Sequence, residues 1–348
     1  MNLINGKLFI NPELKSSSKN NFNMIYRNGK NITKFPLFIL VLISSLFLSS
    51  CSKEKPLSKS QIDSIKTAIK DSIKAETIKD TILQYKPGRE IRYSILKIKG
   101  RKTVHALDSL YKKRGREVIL ALNRLDTKNL RWGDSLVIPD TIMPLISYSP
   151  FPFVIEEARS VKKLLMLSRL IQAFAAYENG VLIKWGPTST GRKSKQTPAG
   201  LFGLNWKKEK TTSTIDPTWI LPFYFNFDNF EGAAFHQYDM PGYPASHACV
   251  RLLEQDAKWI YYWGQQWIVS NDGENIVAFG TPVIVFDDYN FGKTPPWKFL
   301  PQKPDTIIIT DKQIDKLMKK NLQTILERQK KRIEVVAERE KKLNQNKG

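Results

Sequence analysis

The stretch Ala233-Ala-Phe-His-Gln-Tyr-Asp-Met-Pro-Gly-Tyr-Pro-Ala-Ser-His-Ala-Cys-Val-Arg251 decides how the rest of the chain is read. The whole sequence holds 3 histidines and 2 cysteines. His236, His247 and Cys249 all fall inside this one segment. A cysteine is a useful nucleophile at neutral pH when a neighbour generates or stabilises its thiolate, and imidazole is the usual neighbour. Pro241, Gly242 and Pro244 break the segment into a loop, so a chain reversal there would bring His236 back beside Cys249. The plainer alternative is a small buried cysteine beside structural histidines.

Ser246-His247-Ala248-Cys249-Val250-Arg251, with His236 upstream, resembles the signature of the L,D-transpeptidase catalytic domain. The pattern of that family is a His, a spacer, then Ser/Thr-His-Gly-Cys and an apolar residue followed by Arg or Asn. Thr197-Pro-Ala-Gly-Leu-Phe202 and Asp256-Ala257 also resemble the family, and the likeness runs from about Leu145 to Asp288. Two departures stand out. The Gly before the cysteine is Ala248 here, which penalises a positive φ, so the loop is expected to hold a conformation that Ala adopts. The spacer after His236 is short.

The resemblance implies a β-sandwich-like fold and a peptidase-like acyl transfer. Cys249 would attack an acyl carbon of a peptidoglycan stem peptide, with His236 as base and the Gln237 carbonyl orienting its ring. Backbone N–H groups of His247, Ala248 and Cys249 would receive the charge that develops on the carbonyl oxygen. His247 would shape the site, although the roles of the two histidines are open to exchange. Arg251 suits a substrate carboxylate or an internal acid such as Asp239 or Asp256. Ser246 either meets substrate or hydrogen-bonds locally. The scheme uses no metal and no cofactor. An amine acceptor gives a cross-link, and water gives an L,D-carboxypeptidase. A wall-binding lipoprotein without activity and an unrelated exported cysteine protease are the other classes.

At 348 residues and 41% hydrophobic content the chain can bury a sizeable core. Its net charge of +22 suits an anionic surrounding. No zinc-ligand spacing, phosphate-cradling Gly-rich loop or RNA-binding aromatic signature accompanies that charge, so nucleic acid is not an expected partner.

Arg27, Lys30 and Lys34 precede an apolar run from Phe35 to Leu48 that is shorter than the ~20 residues of a membrane-spanning helix. Leu48-Ser-Ser-Cys51 at its end resembles a bacterial lipoprotein signal, which implies lipidation of Cys51 after removal of residues 1–50. Met1 and Met24 both serve as candidate starts. Localisation follows as the cell envelope, on the outer membrane facing the periplasm, since Ser52-Lys53 carries no aspartate. Cys249 is then left without a disulfide partner, and a lone thiol in an exported protein points to chemistry.

Residues 52–90 are polar and lysine-rich, with Ile62, Ile65, Ile69 and Ile73 at helical spacing, and read as a tether ended by Pro87-Gly88. Residues 91–141 read as strand, two helices split at Gly115, and strand. Asn123-Arg-Leu125 and Gly133-Asp-Ser-Leu-Val-Ile-Pro139 resemble a lysin-motif module, which implies glycan binding. His105 is assigned to packing. Residues 145–290 alternate strands and turns, with a hairpin at Asn179-Gly180 and a helix over Glu254–Trp263. The fold class is therefore α+β, mainly β, with an antiparallel sandwich-like catalytic domain. Residues 291–348 end in a basic helix, read as solvated or paired with another helix.

Overall fold

The computed structural model describes residues 90–345, together with two short strands near the N-terminus. The chain divides into two units, Met1–Asp71 and Ser72–Gly348. In the first, β1 (Leu3–Ile4) pairs antiparallel with β2 (Lys7–Leu8). The signal, Cys51 and the tether lie outside the described residues. Everything below concerns the second unit.

It begins with a strand–helix–strand piece. β3 (Tyr93–Lys97) pairs antiparallel with β4 (Ser135–Pro139), and α1 (Arg101–Leu122) lies between them. The helical run breaks at Lys112, where φ is 52°, and not at Gly115. Gly115 supplies room instead of a break: a Cβ there would stand 2.8 Å from Tyr111 Cβ. Leu107, Ile119, Leu136 and Ile138 form the small core beneath. His105 is exposed on α1, so it does not do the packing expected of it.

The larger body is built on β5 (Leu164–Ser168), β6 (Ala173–Glu178), β7 (Val181–Ser189), β8 (Gly200–Gly203), β9 (Lys207–Thr212), β10 (Ile220–Asp228), β11 (Ala233–Gln237), β12 (Val250–Leu252) and β15 (Pro282–Phe286). A small pair, β13 (Ile268–Val269) and β14 (Ile276–Ala278), sits apart. The nine strands form one sheet in the order β8-β15-β5-β6-β7-β12-β11-β10-β9. All neighbours are antiparallel except β11–β12 and β15–β5. The expected mainly-β character is present, but as one continuous mixed sheet instead of an antiparallel sandwich.

Both faces of the middle strands are covered. On β5, Leu164 and Met166 enter one core while Leu165 and Leu167 enter the other. The second core is closed by α2 (Glu254–Trp263) through Ala257 and Ile260. Glu254 and Asp256 in its first turn suit the positive end of the helix dipole. The first core is closed in part by α3 (Asp311–Gln345), whose Ile314, Met318 and Ile325 are buried in it. Farther along, Arg332 Nη1 donates to the carbonyls of Gln266 and Phe279, both at 2.9 Å. The basic C-terminal helix is thus packed on the domain, not solvated as read from its charge. Among the described residues no helix is long and apolar enough to cross a membrane, and no cluster of His, Cys, Asp and Glu is placed to hold a metal.

Candidate active site

The register of two parallel strands brings the chemistry together. Phe235 pairs with Val250 and His236 with Arg251. Phe235 and Val250 point into the apolar core, so His236 and Arg251 point to the opposite face, and Cys249, two residues before Arg251, shares it. The loop between them does not make the hairpin reversal that its Pro and Gly suggested. It crosses over so that β12 runs in the same direction as β11. His236, Cys249, His247 and Arg251 all line one cleft of ≈ 470 Å³, walled by Trp206, Trp219, Tyr224 and Tyr238.

His236 is 4% exposed and its Nδ1 lies 2.9 Å from the carbonyl oxygen of Gln237. A carbonyl only accepts, so Nδ1 carries the proton and Nε2 holds a free lone pair. Tyr224 stacks on the ring at 6.4 Å and 16°, and Tyr238 meets it edge-on at 5.9 Å. Burial pulls the imidazole pKa down to about 4; the Gln237 bond opposes the shift and the Arg251 charge adds to it. At neutral pH this group is an uncharged base. Burial also pushes the Cys249 thiol up to about 11, against the lowering effects of the Ala234 N–H and of Arg251. The sulfur hydrogen donates to the Gly232 carbonyl, with Sγ at 3.5 Å. The resting pair is therefore neutral thiol and neutral imidazole.

Residues 168–285 match the family model of YkuD, the L,D-transpeptidase catalytic domain. Among solved structures the chain is similar to an L,D-transpeptidase from Stackebrandtia nassauensis, with 25% identity, 37% of this chain and 57% of that one covered, and a TM-score of 0.30. It is similar to an L,D-transpeptidase from Mycobacterium smegmatis at 20% identity, covering 36% of this chain and 59% of that one, with a TM-score of 0.29. A third, from Xylanimonas cellulosilytica, shows 18% identity over 57% of this chain and 99% of that one, with a TM-score of 0.34. The chain spans 57% and 59% of the lengths of the first two. No curated protein matches it. The YkuD match opens on Ser168, the last residue of β5, and closes on Val285, inside β15.

Within the YkuD stretch the turn Ser246–Cys249 is held from several sides. The Ser246 hydroxyl donates to the Cys249 carbonyl, its N–H to Thr190 O at 3.1 Å, and its own carbonyl accepts the Arg192 N–H at 2.9 Å. Ser246 is 3% exposed and serves as a brace of the loop, which leaves it little freedom to bind substrate. Thr197, from the Thr-Pro-Ala-Gly stretch, donates its hydroxyl to the Ala248 carbonyl at 2.8 Å and accepts the Gly191 N–H at 2.9 Å. The Ala248 N–H donates to Lys195 O at 3.1 Å. That amide is occupied, so Ala248 does not serve as an oxyanion donor as its position had suggested. His247 sits across the cleft with its ring 5.4 Å from Trp219, and its Nδ1 is buried without a hydrogen-bond partner among the described residues.

Arg251 does not pair with either acid. It donates to the carbonyls of Ala245 at 3.0 Å and Asp239 at 3.4 Å, and its guanidinium lies 4.7 Å from the Tyr238 ring centre. The Asp239 carboxylate faces Lys128 instead, at 3.8 Å, and Asp256 faces Lys184 at 2.8 Å. Thr197 was legible only through the motif around it. Tyr224 and Trp219, which wall the cleft, were legible through the aromatic clustering of Trp219–Phe227, which reads as core and cleft wall.

Ala248 has φ 75° and is fully buried. The expectation of an Ala-compatible backbone fails: the turn keeps a left-handed residue, and Ala accepts the strain because Thr197 and Lys195 fix both of its peptide groups. Left-handed backbone costs an L-residue roughly 1–2 kcal/mol, offset in part by the greater unfolded-state freedom of glycine. Ala248→Gly should therefore raise stability by about 1 kcal/mol, read as a rise of a few degrees in thermal unfolding. An unchanged or lower midpoint would mean that the turn has relaxed around the methyl group.

Proposed function

We propose that this protein is a peptidoglycan L,D-transpeptidase. The observation that carries the reading is the thiol of Cys249 and the neutral, buried imidazole of His236 on one face of two parallel strands, lining a single cleft in a region that matches the L,D-transpeptidase catalytic domain. The acyl donor is a stem tetrapeptide. Cys249 Sγ attacks the carbonyl carbon of the third residue as His236 Nε2 takes the thiol proton. The amides of His247 and Cys249 are the donors left for the oxyanion. As the tetrahedral intermediate collapses, the C–N bond to the terminal residue breaks. The amine leaves with the proton from His236, and a thioester remains. A second amine then attacks the thioester, gives its proton to His236, and the thiol re-forms on a cross-linked product. Attack by water gives the carboxypeptidase outcome with the same residues.

The test is mass spectrometry of the full chain acting on purified disaccharide-tetrapeptide, with Cys249→Ala as control. Cross-linked dimers that vanish in the variant support transfer through Cys249. Tripeptide without dimers moves the assignment to carboxypeptidase. Intact substrate with folded protein favours a wall-binding protein without activity. An anchor through a lipidated Cys51, on the outer membrane facing the periplasm, places such an enzyme beside its polymer.

The lysin-motif-like piece adds glycan contact to this reading, though not through Asn123-Arg-Leu125. Those residues are 1%, 0% and 6% exposed and cannot touch a polymer. Trp132, at 82% exposure in the turn before β4, offers a flat apolar face of the kind that packs on sugar rings. Trp132→Ala should weaken co-sedimentation with insoluble peptidoglycan several-fold while Cys249 chemistry is unaffected. Equal co-sedimentation would remove the module from the binding role.

A further inference from the structure

The turn that ends α1 is built into the larger body of the fold. Asn123 Nδ2 donates to Val137 O at 2.9 Å and its Oδ1 accepts the Lys298 Nζ at 3.2 Å. Arg124, fully buried, donates Nε to Ile171 O at 3.0 Å and stacks 4.9 Å from the Trp297 ring and 5.8 Å from Trp185. Leu125 bridges to Pro241 and lies against Gly242, where a Cβ would stand 3.2 Å from its Cδ2. Asp126 closes the contact by bonding both backbone groups of one residue. Its N–H donates to Met240 O at 3.0 Å, and its Oδ2 accepts the Met240 N–H at 2.8 Å. Its other oxygen accepts the Asn129 N–H at 2.8 Å, which fixes the carboxylate in place.

Met240 is fully buried in the segment that links His236 to Cys249. The same segment supplies the two carbonyls, Asp239 and Ala245, that hold the Arg251 guanidinium. The Tyr243 carbonyl accepts the Ser189 hydroxyl at 2.7 Å, tying the far side of the loop to β7. We propose that Asp126 is a positioning residue for the cleft: it fixes the loop between base and nucleophile, so the N-terminal piece is part of the active-site scaffold and not an independently tethered binder. The proposal rests on the functional reading for the identity of the nucleophile only.

The route runs through charge placement. Arg251 faces Cys249 and His236 from β12; Tyr238, Asp239 and Tyr243 face Arg251 from the loop, His247 faces it from the turn before Cys249, and Tyr224 faces both reacting groups from β10. Arg251 lowers the thiol pKa against burial. A loop released at Met240 lets its carbonyls withdraw from Arg251, the cation loses its fixed place, and the thiolate loses support. A carboxylate on a backbone N–H is a charge-assisted bond with defined direction, suited to this task.

The experiment uses the full chain and two readouts. The first is the pH profile of Cys249 alkylation by iodoacetamide, which needs no assumption about substrate. The second is turnover of disaccharide-tetrapeptide. Asp126→Ala should slow alkylation at a fixed mildly alkaline pH and move its profile upward. It should also cut kcat by about tenfold with KM little changed. Asp126→Asn keeps an oxygen in reach of the Met240 N–H and should restore most of both. Asp126→Glu, which moves the carboxylate by one methylene, should shift the profile even if the alanine variant does not fold. Arg116→Ala, which breaks a 2.8 Å ion pair to Asp108 within the N-terminal piece, should leave the profile in place. Folded Asp126 variants whose alkylation profiles superimpose on the parent overturn the proposal. A parent that alkylates normally but never turns over substrate sinks the transpeptidase reading instead, and the alkylation arm still decides the role of Asp126.

Discussion

His236→Gln should lower acyl transfer by about 10²–10⁴-fold, the range expected when a general base is removed. The size follows from the resting state of the pair. Burial pushes the Cys249 thiol up to about 11, so thiolate is scarce at pH 7 and the proton must leave as the bond forms. Burial brings His236 down to about 4, so its Nε2 is unprotonated and ready across the neutral range. Activity of the parent should fall on acidification only as pH approaches 4, and the variant should lack that limb. The same shift makes a stability statement. The folded pKa of about 4 lies below the reference of 6.5, so as pH falls the unfolded chain takes up the proton first. The neutral histidine costs nothing above pH 6.5, and stability is lost progressively between 6.5 and 4. The limit is 6.5 − 4 = 2.5 pH units, or on the order of 3 kcal/mol. Urea unfolding of parent and variant at several pH values measures it. Parallel pH dependences for the two proteins would remove His236 as the source.

Lys184→Met should destabilise the fold by roughly 3–5 kcal/mol, since it strands a buried carboxylate. Asp256 is 1% exposed and its only ionic partner among the described residues is Lys184 Nζ at 2.8 Å. It sits in the first turn of α2 beneath β7, so close that a Cβ on Gly186 would meet its Oδ2 at 2.6 Å. For a body of this size the loss amounts to about 10 °C in the thermal midpoint. Burial raises the Asp256 pKa and Lys184 opposes the rise. A protonated Asp256 needs no cation, so the deficit of the variant should shrink as pH falls. The double variant with Asp256→Leu should recover most of the lost stability. A single variant that melts within 2 °C of the parent, as a rough threshold, would show that the acid is neutral already.

Much of the region that matches the L,D-transpeptidase model was legible. The hairpin at Asn179-Gly180 and the helix over Glu254–Trp263 stand where turn residues and periodicity put them. The concentration of His and Cys led directly to one cleft. What escaped has physical causes. Leu164–Ser168 is covered on both faces, so it shows no alternation to mark it as a strand, although it lies inside the sheet between β15 and β6. Val250–Leu252 is too short to carry a pattern, and its parallel pairing depends on a partner fixed by the whole fold. The many charges of α3 favoured a solvated helix, although Ile314, Met318 and Ile325 stand at a spacing that fits burial equally well. Asp126 looked like any turn residue, because its partner, Met240, is brought to it only by tertiary packing.

The composition of the first core bears on where the chain can be cut. A fragment trimmed to residues 168–285 would discard all of β5 but its last residue, opening a gap between β15 and β6. It would also bare the surface that Ile314, Met318 and Ile325 cover. That core gathers residues from Ile91 at one end to Leu326 at the other, with the sheet between them. Similarity to known domains thus marks where the chemistry is written, while the shortest expressible piece is set by the layers: anything narrower than Ile91 to Leu326 would reach the test tube with its interior facing water.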